Sequence, residues 1–495
     1  MRYWLSVYQL AIYMQISPCQ WTRSRNDNDV ETDTNHAFLY HQLMECNHAI
    51  EDQFDAAALI EIQLRLARSQ THELPDDPGD LPAWIQNGAR LTNATFGEYL
   101  QHRKRGGERQ YFTNRAHALY FLKSVAPTKL VDGAWLYGLC KYWRNPKFKS
   151  LIRTYLEELG DGEADKNHVL VYKALLGRYG VDTIGQLDNN LYTQGLIQLA
   201  LAENADAYLP EIIGFNLGYE QLPLHLLISA YELNELNIDP HYFTLHITID
   251  NAATGHAFRA VQAVLENLPR LTSTKEFWQR VQTGYNLSNA GTGTLEIIHA
   301  FDIEKEIVNI FTRKSHVGQG AHSDYCRVAG RHVNDWLSCK ENIPEFLAAL
   351  QKSNWIVRNQ PVEKSRFWAL LQGNRADMFG VFSPYELQVI HDWIRAEDSR
   401  DGQPYSGIGK PEGAMSFRTA SSYADARGGL ILKTGPTAGN ANLLDSDLHV
   451  LKEKLLQLDF PEQEALLINS IAPGQHWTPA GIYANQLFNA MLHRI

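Results

Sequence analysis

Residues Thr244–Leu268 read TLHITIDNAATGHAFRAVQAVLENL. Apolar residues return every three or four positions, the period of an amphipathic helix rather than the alternation of an exposed strand. Within that pattern stand His246, Asp250 and His256. Ionisable groups in an apolar segment cost free energy unless something binds them. In a helix, residues four apart are offset by about 40 degrees, so His246 and Asp250 share a face. His256 lies six residues beyond Asp250 and joins that face only where the helix bulges or breaks. The intervening NAATG is poor in helix formers, which makes such a break possible. The alternative is a capped helix end with core or surface histidines.

Working outward, the same period governs NPKFKSLIRTYLEEL, HVLVYKALLGRYG, LYTQGLIQLALAENADAYLPEIIGFNLGYE and LHLLISAYELNELN, with Pro and Gly at the joins. His36–Ser69 also reads as amphipathic helix, broken once, and HELPDDPGDLPAW (His72–Trp84) reads as a linker because its prolines and glycine exclude a regular element. The expected fold class is all-α. Neither a Walker sequence nor a dinucleotide-binding glycine fingerprint occurs in a strand-to-helix context, so nucleotide chemistry has no foothold. After about residue 290, helices are expected at EKEIVNIFTRK, IPEFLAALQKS and SPYELQVIHDWIRAED, the last with IHDWIRAED as an exposed amphipathic helix. Lys410–Asn440 reads as loop-rich. The organisation expected is a flexible extension over 1–35, a helical region and linker over 36–110, a helical bundle over 111–290 and a C-terminal region over 291–495 without an assigned fold.

At 495 residues, with 44% hydrophobic and 20% charged residues, the chain can bury a large core and has a globular composition. A net charge of -11 without a basic, aromatic-interleaved cluster argues against nucleic acid as a partner. No run of about 18 apolar residues suggests a membrane span. The five cysteines are scattered, which fits a reducing cytoplasm. Met1–Trp21 is apolar but interrupted by Ser6, Gln9 and Gln15, and reads as a loose extension rather than a signal peptide.

Two upstream clusters add to the first. In Tyr155–Gly177, Glu157 and Glu158 close one helix and His168 opens the next across a Gly- and Asp-rich loop. Alternatively the carboxylates are solvated and Asn167 caps a helix that starts at His168. In YLPEIIGFNLGYE, Glu211 is flanked by Leu209, Ile212 and Ile213 and needs a partner or a metal, unless it only complements the helix dipole after Pro210. Glu220 and His225, near Pro223, are alternative ligands or neighbours of the ligands. Carboxylates and imidazoles on successive helices are the ingredients of a non-haem di-iron or di-manganese site.

Asn114–Leu268, with the blocks EELGDGEADKNHVLVYKALL, LPEIIGFNLGYEQLPLHLL and IDPHYFTLHITIDNAATGHA, resembles the haem-oxygenase-like di-iron oxidases and oxygenases, a family of iron-containing redox enzymes. The resemblance implies a seven-helix bundle holding two iron ions without haem. Carried over residue by residue, Glu158 and His168 match the first carboxylate–histidine pair, Glu211 the next carboxylate, and His246 and Asp250 the His-x-x-x-Asp element. Many members place the last histidine three residues after that Asp, where this chain has Ala253; the nearest histidine is His256. Glu157 could replace Glu158 as a ligand, and Tyr172, Asn216 and Tyr219 are the expected neighbours of the metals. No catalytic residue is assigned beyond the ligands. The implied chemistry is dioxygen activation, with dioxygen as co-substrate, acting on a small amine, amino acid or related metabolite in specialised biosynthesis. Fatty-acyl desaturation or decarboxylation, and a helical binding protein that has lost one iron, are the alternatives. An external electron donor and a homodimer stay open as partners. In Gly318–Leu337, His322, Asp324, Cys326 and His332 lack a ligand spacing, and Asp324, Arg327 and Arg331 read as a charge network.

Overall fold

The chain runs through α1 (His36–Met44), α2 (Ile50–Arg68), α3 (Leu81–Lys104), α4 (Arg115–Ser124), α5 (Lys149–Glu158), α6 (His168–Tyr179), α7 (Thr193–Glu203), α8 (Leu209–Tyr219) and α9 (Leu224–Glu235). It continues through α10 (His241–Ile249), α11 (His256–Asn267), α12 (Thr274–Leu287), α13 (Ile303–Gly318), α14 (Ile343–Lys352), α15 (Pro384–Arg395), α16 (Ser446–Gln457), α17 (Phe460–Ser470) and α18 (Pro479–Leu492), with shorter turns of helix between. The structure, a computed structural model, describes residues 35–45, 50–181, 187–249, 255–372, 376–396 and 445–494. Among the described residues the only strands are β1 (Arg327–Val328) and β2 (Arg331–His332), an antiparallel pair, so the fold is all-α. No helix among the described residues is long and apolar enough to cross a membrane.

Many helix starts carry a side-chain cap. Asn114 accepts from the His117 amide ahead of α4, Asn167 from Leu170 ahead of α6 and Asp302 from Glu304 and Lys305 ahead of α13, while Ser383–Glu386 and Asp459–Glu462 form reciprocal capping boxes. α3 begins at Leu81, inside the stretch read from sequence as a linker. Pro82 falls in the first turn, where its missing N–H would have had no helical partner anyway.

Two buried apolar clusters make the core of His36–Ile495. One gathers α4, α6, α9 and the start of α10 with α13, α14 and α15. The other gathers α1, α2, α5, α7, α8, α11 and α12 with Leu451, Leu467, Phe488 and Leu492 from α16, α17 and α18. Both clusters therefore draw on residues before 111 and after 290. The closest helix crossing joins α8 to α12: a Cβ on Gly214 would fall 1.9 Å from the Val281 carbonyl oxygen, and one on Gly284 2.0 Å from that of Glu211. Only glycine lets the two backbones touch there.

Two sequence readings change. IHDWIRAED is not an exposed face: His391, Asp392, Trp393 and Ile394 are buried, and Asp392 Oδ2 accepts from the Ala116 amide at 2.8 Å. The charge that made the segment look solvent-facing satisfies the open amide end of α4. In the β1–β2 hairpin, Arg327 bonds the Gly330 carbonyl and approaches His332 Nε2, and Arg331 bonds the Asp335 carbonyl, so the arginines engage backbone and imidazole. Asp250 and Lys410–Asn440 lie outside the described residues.

Candidate metal centre

Between the two clusters lies a close group of buried acidic and imidazole side chains. Asp132 sits on a turn directly after Leu130, which packs into one cluster, and Val131, which packs into the other. Glu158 is the last residue of α5 and Glu220 the cap at the end of α8, whereas His168 and His256 are the first residues of α6 and α11. His246 stands inside α10. All six side chains are buried. Gly133, at φ +79°, lets Glu158 pass close: a Cβ there would lie 3.0 Å from the Glu158 Cβ.

Asp132, Glu158, His168 and His246 each offer a ligand atom within 4.8 Å of the others, and so do Glu158, Glu220 and His256. Glu158 belongs to both groups. His168 Nδ1 faces Glu158 Oε2 and lies 3.5 Å from Asp132 Oδ2; His246 Nε2 lies 3.2 Å from the same Asp132 oxygen. His256 Nδ1 lies 2.9 Å from Glu158 Oε1 and 3.0 Å from Glu220 Oε2. On the far side of that ring, Nε2 donates to Glu157 Oε2 at 2.9 Å. Tyr242 donates its phenol proton to Asp132 Oδ2 at 2.7 Å.

The electrostatics keep the carboxylates ionised. Burial would raise Asp132, but the imidazoles of His168 and His246 beside it hold it well below the usual carboxylate range. Burial likewise opposes ionisation of Glu158, and the charge of His168 with the His256 contact prevails. His168 is the mirror case: burial would lower it, and Glu158 holds it above its ordinary value. Glu157 is held down to about 2, against burial, by the His256 hydrogen bond and the Arg259 and Arg153 guanidiniums.

These residues fit a cation. Glu158 Oε2 and both ring nitrogens of His168 are buried and make no hydrogen bond of ordinary geometry, although the atoms face one another closely. Buried polar atoms in that state call for a further partner, and a cation is one that carboxylate and imidazole can share. A donor set of carboxylate oxygens and imidazole nitrogens, with no thiolate, suits iron or manganese.

Of the residues expected from sequence, the structure brings together Glu158, His168, His246 and His256. His256 arrives as the first residue of a new helix, α11, preceded by Gly255 in extended conformation. Glu211 joins neither group: Arg280 takes both its oxygens, Nε at 2.7 Å and Nη2 at 2.6 Å, where α8 meets α12. Glu220, expected as an alternative, joins the second group, and Glu157 stands behind His256. His225 is half-buried, pushed down to about 4 by burial and then by Lys129, and is in neither group. Tyr172 donates to the Leu122 carbonyl and packs on the Tyr242 ring at 4.6 Å; Asn216 accepts from Trp135, and Tyr219 accepts from Gln198. Asp132 was missed. Its signal is a lone carboxylate in the apolar run KLVDGAWLYG, followed by a glycine.

Residues 119–289 match the sequence model of a family described as iron-containing redox enzyme. The likeness covers about a third of the chain, and over those residues the chain is similar to that family. The matched segment holds all six residues of the two groups, five of them on helices and helix ends and Asp132 on its turn. No curated protein and no solved structure matches the chain significantly. The family match over residues 119–289 suggests an oxidoreductase, and the buried cluster of Asp, Glu and His could hold a metal.

Proposed function

We propose that this protein is a non-haem di-iron oxygenase or oxidase that uses dioxygen on a small amine, amino acid or related metabolite. The observation that carries the reading is the sharing of Glu158 between two ligand groups, an arrangement suited to a carboxylate between two cations. Asp132, Glu158, His168 and His246 would hold one ion, and Glu158, Glu220 and His256 the other, with Asp250 as the further ligand that the resemblance implies. When bound, the two ferrous ions supply electrons to dioxygen. The protein's own groups prepare the ligands. Glu157 accepts a hydrogen bond from His256 Nε2, which turns Nδ1 toward Glu158 and Glu220 as the nitrogen that would ligate. Tyr242 holds a proton against Asp132 Oδ2 and so fixes the orientation of that carboxylate. The Tyr242 ring packs on the imidazoles of His246 and His168, at 4.9 and 6.1 Å between centroids, and Tyr172 packs on Tyr242 at 4.6 Å, which gives that side of the group an aromatic backing.

Anaerobic titration with ferrous ion tests the reading. About two irons per chain are expected, and loss of both in Glu158→Ala; fewer than about one iron per wild-type chain sinks the proposal. Dioxygen consumption is then followed with amines, amino acids and fatty acids in turn. Acceleration by fatty acids alone replaces the substrate class with acyl chains.

A further inference from the structure

The hairpin from Glu157 to His168 lies inside the matched segment, yet much of its polar bonding runs to residues beyond 470. Asn485 Nδ2 donates to the Leu159 carbonyl at 3.2 Å and reaches Leu156 at 3.4 Å. Gln486 Nε2 donates to the Gly162 carbonyl at 2.7 Å, and Asn489 Nδ2 to Asp161 at 3.1 Å. Gly162, at φ +83°, has no room for a side chain: a Cβ would fall 2.2 Å from Gln486 Cγ.

At the centre of this bonding is Asn167, wholly buried between the two ligand helices. Its Oδ1 accepts from the Leu170 amide at 3.0 Å and caps α6, whose first residue is His168. Its Nδ2 donates to the Leu159 carbonyl at 3.1 Å, next to Glu158. The same Nδ2 lies 3.1 Å from His476 Nδ1, on the segment between α17 and α18. His476 is itself buried, 1% exposed.

We propose that His476 is a positioning residue of the metal centre, acting through Asn167 on Glu158 and His168. The amide of Asn167 can turn two ways. With Oδ1 on the Leu170 amide, Nδ2 points at His476 Nδ1 and needs an acceptor there. Nδ2 also has the Leu159 carbonyl and, at 3.4 Å, the His476 carbonyl as acceptors; a donor or an apolar atom in place of Nδ1 removes the side-chain acceptor, loosens the cap of α6 and lets its first residue drift from Glu158. Burial pushes His476 down to about 3, so its ring is neutral and Nδ1 can accept. The C-terminal helices are thus part of the site, although the family match ends at residue 289.

This inference rests on the reading of Glu158 and His168 as metal ligands, and the test separates the two. Co(II) binding to the full-length metal-free chain is measured by calorimetry, and the visible absorption of the bound cobalt is recorded. His476→Phe keeps a buried ring without the acceptor; an affinity loss of about 10- to 100-fold and an altered cobalt spectrum are expected, as for other groups that orient metal ligands. His476→Gln, which offers a side-chain oxygen to Asn167, should restore most of the affinity. Phe488→Leu, a core change in α18 without a bond to the hairpin, should lower the melting temperature and leave the cobalt spectrum unchanged. Should His476→Phe fail to fold, Asn167→Ser keeps a cap and loses the link, and the same loss is expected. Wild-type cobalt affinity and spectrum in His476→Phe or Asn167→Ser overturn the inference. A wild-type chain that binds no cobalt overturns the metal reading and this inference with it.

Discussion

Glu158 answers to two histidines, one at each oxygen: His168 faces Oε2 and His256 faces Oε1. Glu158→Gln removes the charge shared by both groups while keeping the volume. We expect ferrous affinity to fall by two or more orders of magnitude at both sites, about 3 kcal/mol or more each, and a variant that still takes up iron like the wild type would refute the sharing. Arg280→Ala is the contrasting change. It leaves Glu211 buried without its partner, and since the Arg280 side chain is 40% exposed the expected cost is about 2–3 kcal/mol of stability, read from urea unfolding, with iron uptake retained. Sequence alone had given Glu158 and Glu211 the same weight, because a carboxylate among apolar neighbours needs a partner and the sequence does not say which. The partner of Glu211 is an arginine on α12, far along the chain. Asp132 escaped notice for the complementary reason: the three side chains that meet it, His168, Tyr242 and His246, all come from distant helices, and no ligand spacing surrounds it.

At the scale of elements, the α8–α12 crossing is the tightest constraint near the site, because α8 carries Glu211 at its start and leads into Glu220 at its end. Gly284→Ala pushes a methyl against the Glu211 carbonyl and must part the helices. A loss of about 1–3 kcal/mol or more is expected in thermal unfolding, together with weaker loading of the group that contains Glu220; an unchanged melting temperature would show that the crossing can open without cost. The helices themselves were legible because their apolar period survives in every buried face. Their ends were less so. α3 starts within a proline-rich stretch since proline is tolerated in a first turn, and α15 is buried since its polar residues serve α4 rather than water.

Over the whole molecule, two apolar clusters close on a charged seam, and several imidazoles are buried neutral. Burial pushes His117 and His225 from 6.5 down to about 4, and His476 to about 3. In the unfolded chain each takes up a proton near its ordinary value, so between about pH 6.5 and 4 the unfolded state binds more protons and stability falls with the pH. His168, held above its ordinary value, acts in the opposite direction as one imidazole against four, since burial lowers His36 as well. Glu157 adds to the loss only below about pH 4.5, as its folded value is about 2. The metal-free protein should therefore unfold at lower urea at pH 5 than at pH 7, and equal midpoints would contradict the burial of these rings. A last consequence concerns hydrogen exchange. Glu158 and Glu220 stand where helices stop, and His168 and His256 where helices start. Helix ends fray first, so a cation held there ties down the least protected turns of four helices together. Metal loading should slow amide exchange most at Val169–Val171 and Ala257–Arg259, and leave the interiors of α6 and α11 as they were.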